Sequence, residues 1–158
     1  MIKLERTIDL KPYKPNSDLA VTCEIKVVHQ TIEVKFRVTG DLEILYIPMA
    51  KLKRERLDNL WQTTCFELFI AEAGKKPYTE LNVSPSGDWQ AYSFSDYHKD
   101  MAVKNEITNL EFYNAQNLTE LNVGFSVETK VTKLALGISA ILKLNSGETT
   151  FWAYQHST

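Results

Sequence analysis

Apolar and polar positions alternate along two neighbouring segments near the start of the chain. In residues 21–27 and 32–38 every second position is apolar, and the positions between them are charged or polar. A strand with this period presents apolar side chains on one face and polar side chains on the other. His29 and Gln30 make a tight connection between the two segments. The pattern therefore predicts a half-buried antiparallel hairpin.

The same alternation returns late in the chain, at residues 121–128 and 134–142. The run Asn-Ser-Gly at 145–147 predicts a turn into a final strand at 149–154, and a first strand is expected at 3–10. Short strands separated by turn residues, without a strong helical stripe, are typical of a β-sandwich. We therefore predict an all-β, antiparallel sandwich of the jelly-roll or immunoglobulin-like type, with roughly ten strands and at most one or two short helical turns.

Two segments interrupt the alternation. Residues 48–60 are charged and are predicted to hold one helical turn around 51–57, while residues 96–105 form a polar loop. Loops of this length often carry binding residues. The first of them contains four basic residues, Lys51, Lys53, Arg54 and Arg56. Since no aromatic residues are interleaved with these cations, a solvated loop is favoured over a nucleic-acid patch.

Size and composition indicate one globular domain spanning residues 1–158. The chain is 44% hydrophobic and 24% charged, which is sufficient for a core without disulfides. The formal net charge of -2 argues against a general polyanion binder. Charges at Lys3, Glu5 and Arg6 occupy the place where a signal peptide needs an apolar run, and no stretch is as long as a membrane helix. We expect a cytoplasmic protein without a membrane partner.

The two cysteines, Cys23 and Cys65, are expected to be free thiols. Cys23 falls on the apolar side of its predicted strand and should pack in the core as a small hydrophobic residue. A zinc site needs about four closely spaced ligands, and two distant cysteines with three scattered histidines do not supply them. The sequence therefore predicts no metal site and no cofactor.

Residues 63–70 are apolar on both faces, which predicts a central strand covered on both sides. Within this strand Glu67 shares a face with Cys65 and Phe69. An unpaired buried carboxylate costs several kcal/mol, a large part of the stability of a domain. Glu67 must therefore be paired, protonated or turned toward a polar pocket.

Polar neighbours for Glu67 follow in the next segment, where Glu80 and Asn82 should share one face of a strand. Residues 84–87, Ser-Pro-Ser-Gly, predict a turn, and the chain returns through residues 88–94. Three adjacent strands could present carboxylates, amides and aromatic rings on one surface, which suits a polyhydroxylated ligand. The same groups could instead form a satisfied internal network that fixes the strand register.

Three stretches carry a resemblance to a known family. They are LDNLWQTTCFELFI (57–70), YTELNVSPSGDWQAYSFSDYHKDM (78–101) and, more weakly, FWAYQH (151–156). Together they resemble the bacterial and cyanobacterial DOMON-like family, which is similar in turn to family 9 carbohydrate-binding modules. The resemblance implies a jelly-roll-like sandwich whose wider relatives bind sugars or haem on one face.

Carried onto this chain position by position, the resemblance implies a ligand-binding site with seven candidate residues. Four are the main candidates, Glu67, Glu80, Asn82 and Trp89, and three are weaker, Arg56, Trp61 and Tyr92. The family pattern normally continues with a tail of the Pro-Asp-Phe-His type, whereas this chain ends at Thr158. A tail covering the site is therefore expected to be missing, and His156 is a weak candidate.

We predict a non-catalytic ligand-binding domain, with a saccharide or another small polar ligand as the partner and no nucleic acid. One alternative is a haem-binding domain, for which Met49, Met101, His29 and His98 are the available axial ligands in loops or turns. A protein-interaction domain that uses a sheet face or edge is another alternative. A glycosidase would need Glu67 and Glu80 as its carboxylate pair, but no further catalytic motif accompanies them.

Overall fold

The computed structural model describes residues 2–16 and 18–154, and it confirms the predicted all-β class. These residues form eleven antiparallel strands and two 3₁₀ turns, at Leu42–Ile44 and Leu60–Gln62. Neither turn is long or apolar enough to cross a membrane, and no other helix occurs in the described ranges. The strands are β1 (Ile2–Pro12), β2 (Leu19–Val28), β3 (Thr31–Gly40), β4 (Cys65–Glu72), β5 (Tyr78–Val83), β6 (Trp89–Phe94), β7 (Ala102–Val103), β8 (Glu111–Gln116), β9 (Glu120–Glu128), β10 (Leu134–Lys143) and β11 (Thr149–Ala153).

The strands follow one another in the order β7-β6-β5-β4-β10-β11-β1-β2-β3-β9-β8. We call the half from β7 to β11 sheet B and the half from β1 to β8 sheet A. β1 joins the halves, because it pairs with β2 over most of its length and with β11 at Lys11 and Pro12. The sheet curls at this junction, so that sheets A and B face each other as a sandwich.

The core lies between the two sheets and is built from the apolar positions of the alternating segments. Val34 and Phe36 of β3 are fully buried, and Phe36 contacts Phe66 of β4 with 4.9 Å between the ring centroids. Burying a phenylalanine side chain contributes about 2–3 kcal/mol. The predicted hairpin of β2 and β3 is confirmed, with its turn at His29 in a left-handed conformation at a φ of 54°.

Both cysteines are free and buried, as predicted. Cys23 packs in the core, where burial raises the pKa of its thiol to about 12. Cys65 lies on the other side of sheet B, and burial also raises its pKa. Such thiols are poor nucleophiles, because the reactive thiolate is disfavoured.

The predicted helical turn at residues 51–57 is wrong. The backbone there forms a parallel bridge to β6, in which Trp89 N donates to Glu55 O at 3.0 Å and Leu57 N donates to Trp89 O at 3.1 Å. Backbone groups used in this bridge cannot also close a helical turn.

Two strands have weak sequence patterns and were not predicted. β7 contains two residues, which is too short for a period to show. β8 pairs with β9 and carries Asn114 between its apolar positions, where the amide donates to Pro85 O at 2.6 Å. Asn114 is polar because it makes a hydrogen bond to a distant part of the fold, and it therefore interrupts the alternation of apolar and polar residues from which a strand is predicted.

Candidate functional site

Three of the predicted site residues meet on the outer face of sheet B, which points away from the core. Glu67 of β4 lies directly opposite Asn82 of β5, and Glu80 of β5 lies directly opposite Tyr92 of β6. Residues 80 and 82 share a face because side chains alternate along a strand. We call Glu67, Glu80 and Asn82 the outer-face cluster. The structure places all three side chains on one face of the sheet, with Tyr92 beside them.

Glu67 is buried, with 9% of its surface exposed, and β4 is central as predicted. Its Oε1 accepts a hydrogen bond from Ser139 Oγ of β10 at 2.6 Å. Burial raises the pKa of Glu67 to about 7, the charge of Glu80 raises it further, and the hydrogen bond from Ser139 acts in the opposite direction. Near neutral pH this carboxyl is therefore poised between its two protonation states.

Glu80 is half-buried, and burial raises its pKa as well. The Asn82 amide and the nearby His98 offset part of this rise. In the described part of the chain neither Glu67 nor Glu80 lies in an ion pair with lysine, arginine or histidine. Two neighbouring carboxylates therefore lie in a poorly hydrated part of the sheet, and neither forms an ion pair with a described residue.

Asn82 is fully buried, and no hydrogen-bond partner among the described residues reaches its Nδ2 or its Oδ1. The amide approaches Glu80 closely enough to favour the ionised carboxylate, but this contact does not meet hydrogen-bond geometry. An unsatisfied buried polar group costs about 1–3 kcal/mol. In native proteins such a group is normally satisfied by water or by a ligand.

Aromatic rings flank the outer-face cluster on both sides. On one side the Phe69 ring meets the Tyr78 ring edge-on, with 6.3 Å between the ring centroids. Phe69 lies directly opposite Glu80 in the pairing of β4 with β5. On the other side Trp61 contacts Tyr92, with 5.9 Å between centroids. Phe69, Tyr78 and Trp61 are each partly exposed. Carboxylates and an amide thus lie between aromatic rings that can still contact a ligand.

Trp61 stands beside the cluster because the 3₁₀ turn that carries it packs against β5. Asp58, just before this turn, fixes its position by accepting a hydrogen bond from Tyr92 Oη at 2.8 Å. The same carboxylate accepts a longer contact from Gln90 Nε2 at 3.4 Å. The loop is therefore attached to the outer face of β6.

The prediction that Trp89 shares this surface is wrong. Trp89 lies opposite Val83, faces the core and is 6% exposed. Because side chains alternate along β6, Trp89 and Ala91 point inward, while Gln90 and Tyr92 point outward. Trp89 is a core residue, and we leave it out of the candidate site.

Arg56 was also predicted to belong to the site, but its guanidinium contacts Trp89 and Gln90 and not the outer-face cluster. Its guanidinium lies 4.5 Å from the centre of the Trp89 ring. It donates three hydrogen bonds, to Gln90 Oε1 at 2.9 Å, to Ile107 O at 2.7 Å and to Lys104 O at 3.0 Å. Arg56 therefore fixes the edge of sheet B rather than joining the outer-face cluster.

A second satisfied group surrounds Asp88 at the predicted Ser-Pro-Ser-Gly turn. Asp88 accepts hydrogen bonds from Lys51 Nζ at 3.1 Å, from Glu55 N at 2.9 Å and from Ser86 Oγ at 3.1 Å. The turn itself is confirmed, with Gly87 at a φ of 95°. We call Lys51, Arg56, Asp88 and Gln90 the turn network.

The four basic residues of this loop are not simply solvated, contrary to the prediction. Lys51 and Arg56 belong to the turn network, and the Arg54 guanidinium lies over the Phe112 ring at 5.4 Å. Lys53 is exposed and takes part in none of these contacts. The cations therefore anchor the loop to β6 and β8.

Ser139 belongs to the site and was missed. It lies opposite Glu67 on β10, 72 residues further along the chain. A serine in an alternating strand carries no signal of its own, so a single sequence gives no way to select it.

Among the remaining candidates, His98 lies near the outer-face cluster, where its charge lowers the pKa of Glu80. Met49 and Met101 are exposed in loops, and His29 and His98 occupy separate turns, so the haem alternative stays a prediction. His156 lies outside the described residues. Within residues 2–16 and 18–154, no group of three or more His, Cys, Asp and Glu side chains could hold a metal ion.

Sheet A also carries an open groove, of about 650 Å³, on its outer face. Glu33, Lys35 and the exposed ring of Tyr113 line it, and Arg37 pairs with Glu120 at 2.7 Å. These side chains are hydrated or paired at the surface, as is usual for the solvent face of an antiparallel sheet. The groove therefore lacks the unsatisfied buried group that marks the outer-face cluster.

Comparisons with solved structures agree with the sandwich. A suspected carbohydrate-binding protein of Bacteroides uniformis superposes with a TM-score of 0.62 at 11% identity, covering 94% of this chain and 77% of that one. A family 9 carbohydrate-binding module of Caldicellulosiruptor kristjanssonii in complex with cellotriose gives a TM-score of 0.54 at 9% identity, covering 94% and 71%. At these identities the likeness establishes the fold.

No family model matches the chain, and no curated protein matches it in sequence. The resemblance to the DOMON-like family therefore stays a prediction, while the similarity in fold to carbohydrate-binding modules is established.

Proposed function

We propose that this chain is a non-catalytic carbohydrate-binding domain that holds a saccharide on the outer face of sheet B, at the outer-face cluster. The observation that carries the proposal is the Asn82 amide, which is fully buried beside two carboxylates and meets hydrogen-bond geometry with no described residue. The shared fold with carbohydrate-binding modules supports the same ligand class.

The chemistry of the cluster suits sugar hydroxyls, which both donate and accept hydrogen bonds. Glu67 and Glu80 can accept from hydroxyls, and the Asn82 side chain can donate through Nδ2 and accept through Oδ1. The partly exposed rings of Phe69 and Trp61 offer apolar surfaces for the C–H faces of a sugar ring. Polar side chains and partly exposed rings on one face are the two kinds of group that a saccharide contacts.

A glycosidase also uses two carboxyl groups, which flank the scissile bond. Glu67 and Glu80 lie on neighbouring strands with their side chains on one face, so hydrolysis has to be tested separately from binding. A panel of activated glycosides tests this point, and turnover that is lost in Glu67→Gln would contradict a purely binding role.

The binding proposal is tested by titration calorimetry with cellotriose, followed by a saccharide array, on the unmodified protein and on two variants. Asn82→Leu removes the buried amide, and Trp61→Ala removes the exposed ring. Each should weaken saccharide binding at least about tenfold, since central aromatic and buried polar contacts dominate binding sites. Tyr113→Ala in the groove of sheet A is the matched control and should leave the affinity unchanged.

Thermal melting of each variant shows whether it is folded. A folded protein that binds no saccharide on the array would overturn the proposed function. Binding that is lost in Tyr113→Ala and retained in Trp61→Ala would show that the site lies on sheet A instead.

A further inference from the structure

The outer-face cluster has an imbalance of charge that a neutral sugar does not correct. Glu67 and Glu80 face the same space, and across the described residues no lysine or arginine pairs with either carboxylate. The other charged or titratable groups nearby are His98, Cys65 and the Asp58–Tyr92 pair. Of these, His98 alone can carry a positive charge, and it lowers the pKa of Glu80.

The cluster also places three acceptor side chains at neighbouring positions on one face of the sheet. Glu67 and Asn82 are direct cross-strand partners, and Glu80 is the diagonal neighbour of Glu67 on the same face. Diagonal neighbours in a sheet are about 7–8 Å apart, which leaves room for one small group between their side chains. Asn82 Oδ1 is fully buried and accepts no hydrogen bond from a described residue.

We propose that the saccharide bound at the outer-face cluster is an amino sugar, with its protonated amine between Glu67 and Glu80 and a third hydrogen bond to Asn82 Oδ1. The inference rests on the proposed function and specifies its substrate class. An ammonium group has three donors and no acceptor, which matches three converging acceptors. Hydrogen bonds between an ammonium and carboxylates are also shorter and stronger than those of a neutral hydroxyl.

A divalent metal ion fits these residues less well. Ca²⁺ takes six to eight oxygen ligands, and the outer-face cluster with Ser139 offers two carboxylates, one amide oxygen and one hydroxyl. Two of these groups are already engaged with each other, because Ser139 Oγ donates to Glu67 Oε1. A primary amine needs no more acceptors than the cluster provides.

The test compares glucosamine with glucose and N-acetylglucosamine by titration calorimetry, near neutral pH, on the unmodified protein. Glucosamine should bind about 10- to 100-fold more tightly than either neutral sugar, the range expected for hydrogen bonds to charged groups. Glu67→Gln and Glu80→Gln keep the shape and remove the charge, so each should reduce this preference about tenfold or more. Glu33→Gln on the outer face of sheet A is the matched control and should leave the preference intact.

The outcomes separate the two proposals. Equal affinity for glucosamine and glucose overturns the amino-sugar inference and leaves carbohydrate binding standing. Binding of Ca²⁺ alone that depends on Glu67 and Glu80, without binding of glucosamine, overturns the inference in favour of a metal site. If no saccharide binds to the folded protein, both proposals fail. A preference for glucosamine that persists unchanged in both glutamine variants also contradicts the proposed placement of the amine.

Discussion

Two groups of polar residues lie a few residues apart in sheet B, and they differ in how completely their hydrogen bonds are satisfied. In the turn network, Asp88 accepts from three donors and Arg56 donates to three acceptors. In the outer-face cluster, the Asn82 side chain meets hydrogen-bond geometry with no described residue, and neither carboxylate forms an ion pair with a described lysine or arginine. Satisfied buried groups fix a structure, whereas unsatisfied ones mark a place where a ligand can complete the hydrogen bonds.

The two groups are nevertheless connected through the loop between β3 and β4. The turn network attaches residues 51–57 to β6, so that Asp58 reaches Tyr92 and Trp61 stands beside the outer-face cluster. The rigid part of the molecule thereby positions the ring that borders the candidate site. Binding surfaces are commonly built in this way, on loops held by a scaffold.

The largest effect is expected when the turn network is broken by Arg56→Met. This change removes three donated hydrogen bonds and leaves two backbone carbonyls without their partner, so the free energy of unfolding should fall by about 4 kcal/mol. Urea denaturation measures it. Arg37→Met, which breaks a surface ion pair, is the control and should cost less than about 1 kcal/mol. A similar cost for both variants would contradict the distinction between the regions.

The outer-face cluster should make the stability of the protein depend on pH. The pKa of Glu67 is raised by burial in the folded state, to about 7, from an ordinary value of 4.5. Between these values the folded state binds more protons than the unfolded state, so stability is lost as the pH rises from 4.5 to about 7 and then levels. The loss should be on the order of 3 kcal/mol.

Glu67→Gln checks the origin of this pH dependence, because glutamine has a similar shape and does not ionise. The variant should be more stable than the unmodified protein above neutral pH and should show a flatter profile of melting temperature against pH. Glu33→Gln, on the solvent face of sheet A, should leave the profile as it is. A profile that stays steep in Glu67→Gln would assign the effect to other groups.

The smallest effect is expected for Asn82→Leu in the absence of ligand. Replacing an unsatisfied buried amide by an apolar side chain of similar size removes a desolvation cost, and the free energy of unfolding should rise by about 1 kcal/mol. Denaturant titration detects a change of this size. Destabilisation of more than about 2 kcal/mol would mean that the amide is structural, as in the turn network.

Much of the fold could be predicted because most of its strands show a clear alternation of apolar and polar residues in the sequence. The inward positions of β2 and β3 were read correctly from alternation, and the predicted turn at residues 84–87 formed with glycine in a left-handed conformation. The helical turn expected at 51–57 did not form. Its backbone pairs with Trp89, a tertiary contact that local propensity does not contain.

The site was predicted in part. Glu67 was selected correctly as an anomaly, since a carboxylate in an apolar strand needs an explanation wherever it lies. Trp89 was assigned to the wrong face, because the register of the hairpin between β5 and β6 pairs it with Val83 rather than with Asn82. A shift of one residue in register exchanges the faces of a whole strand.

The chain by itself determined which side chains could be buried, because the alternation of apolar and polar residues fixes two faces for each strand. It also pointed to Glu67, Glu80 and Asn82 as polar residues in a largely apolar part of the chain. Only the tertiary structure decided which side chains meet. Ser139 contacts Glu67 because β10 pairs with β4, and the Arg56 guanidinium lies over the Trp89 ring and not in the outer-face cluster. The pairing of distant strands depends on the packing of the whole sandwich, and no local pattern encodes it.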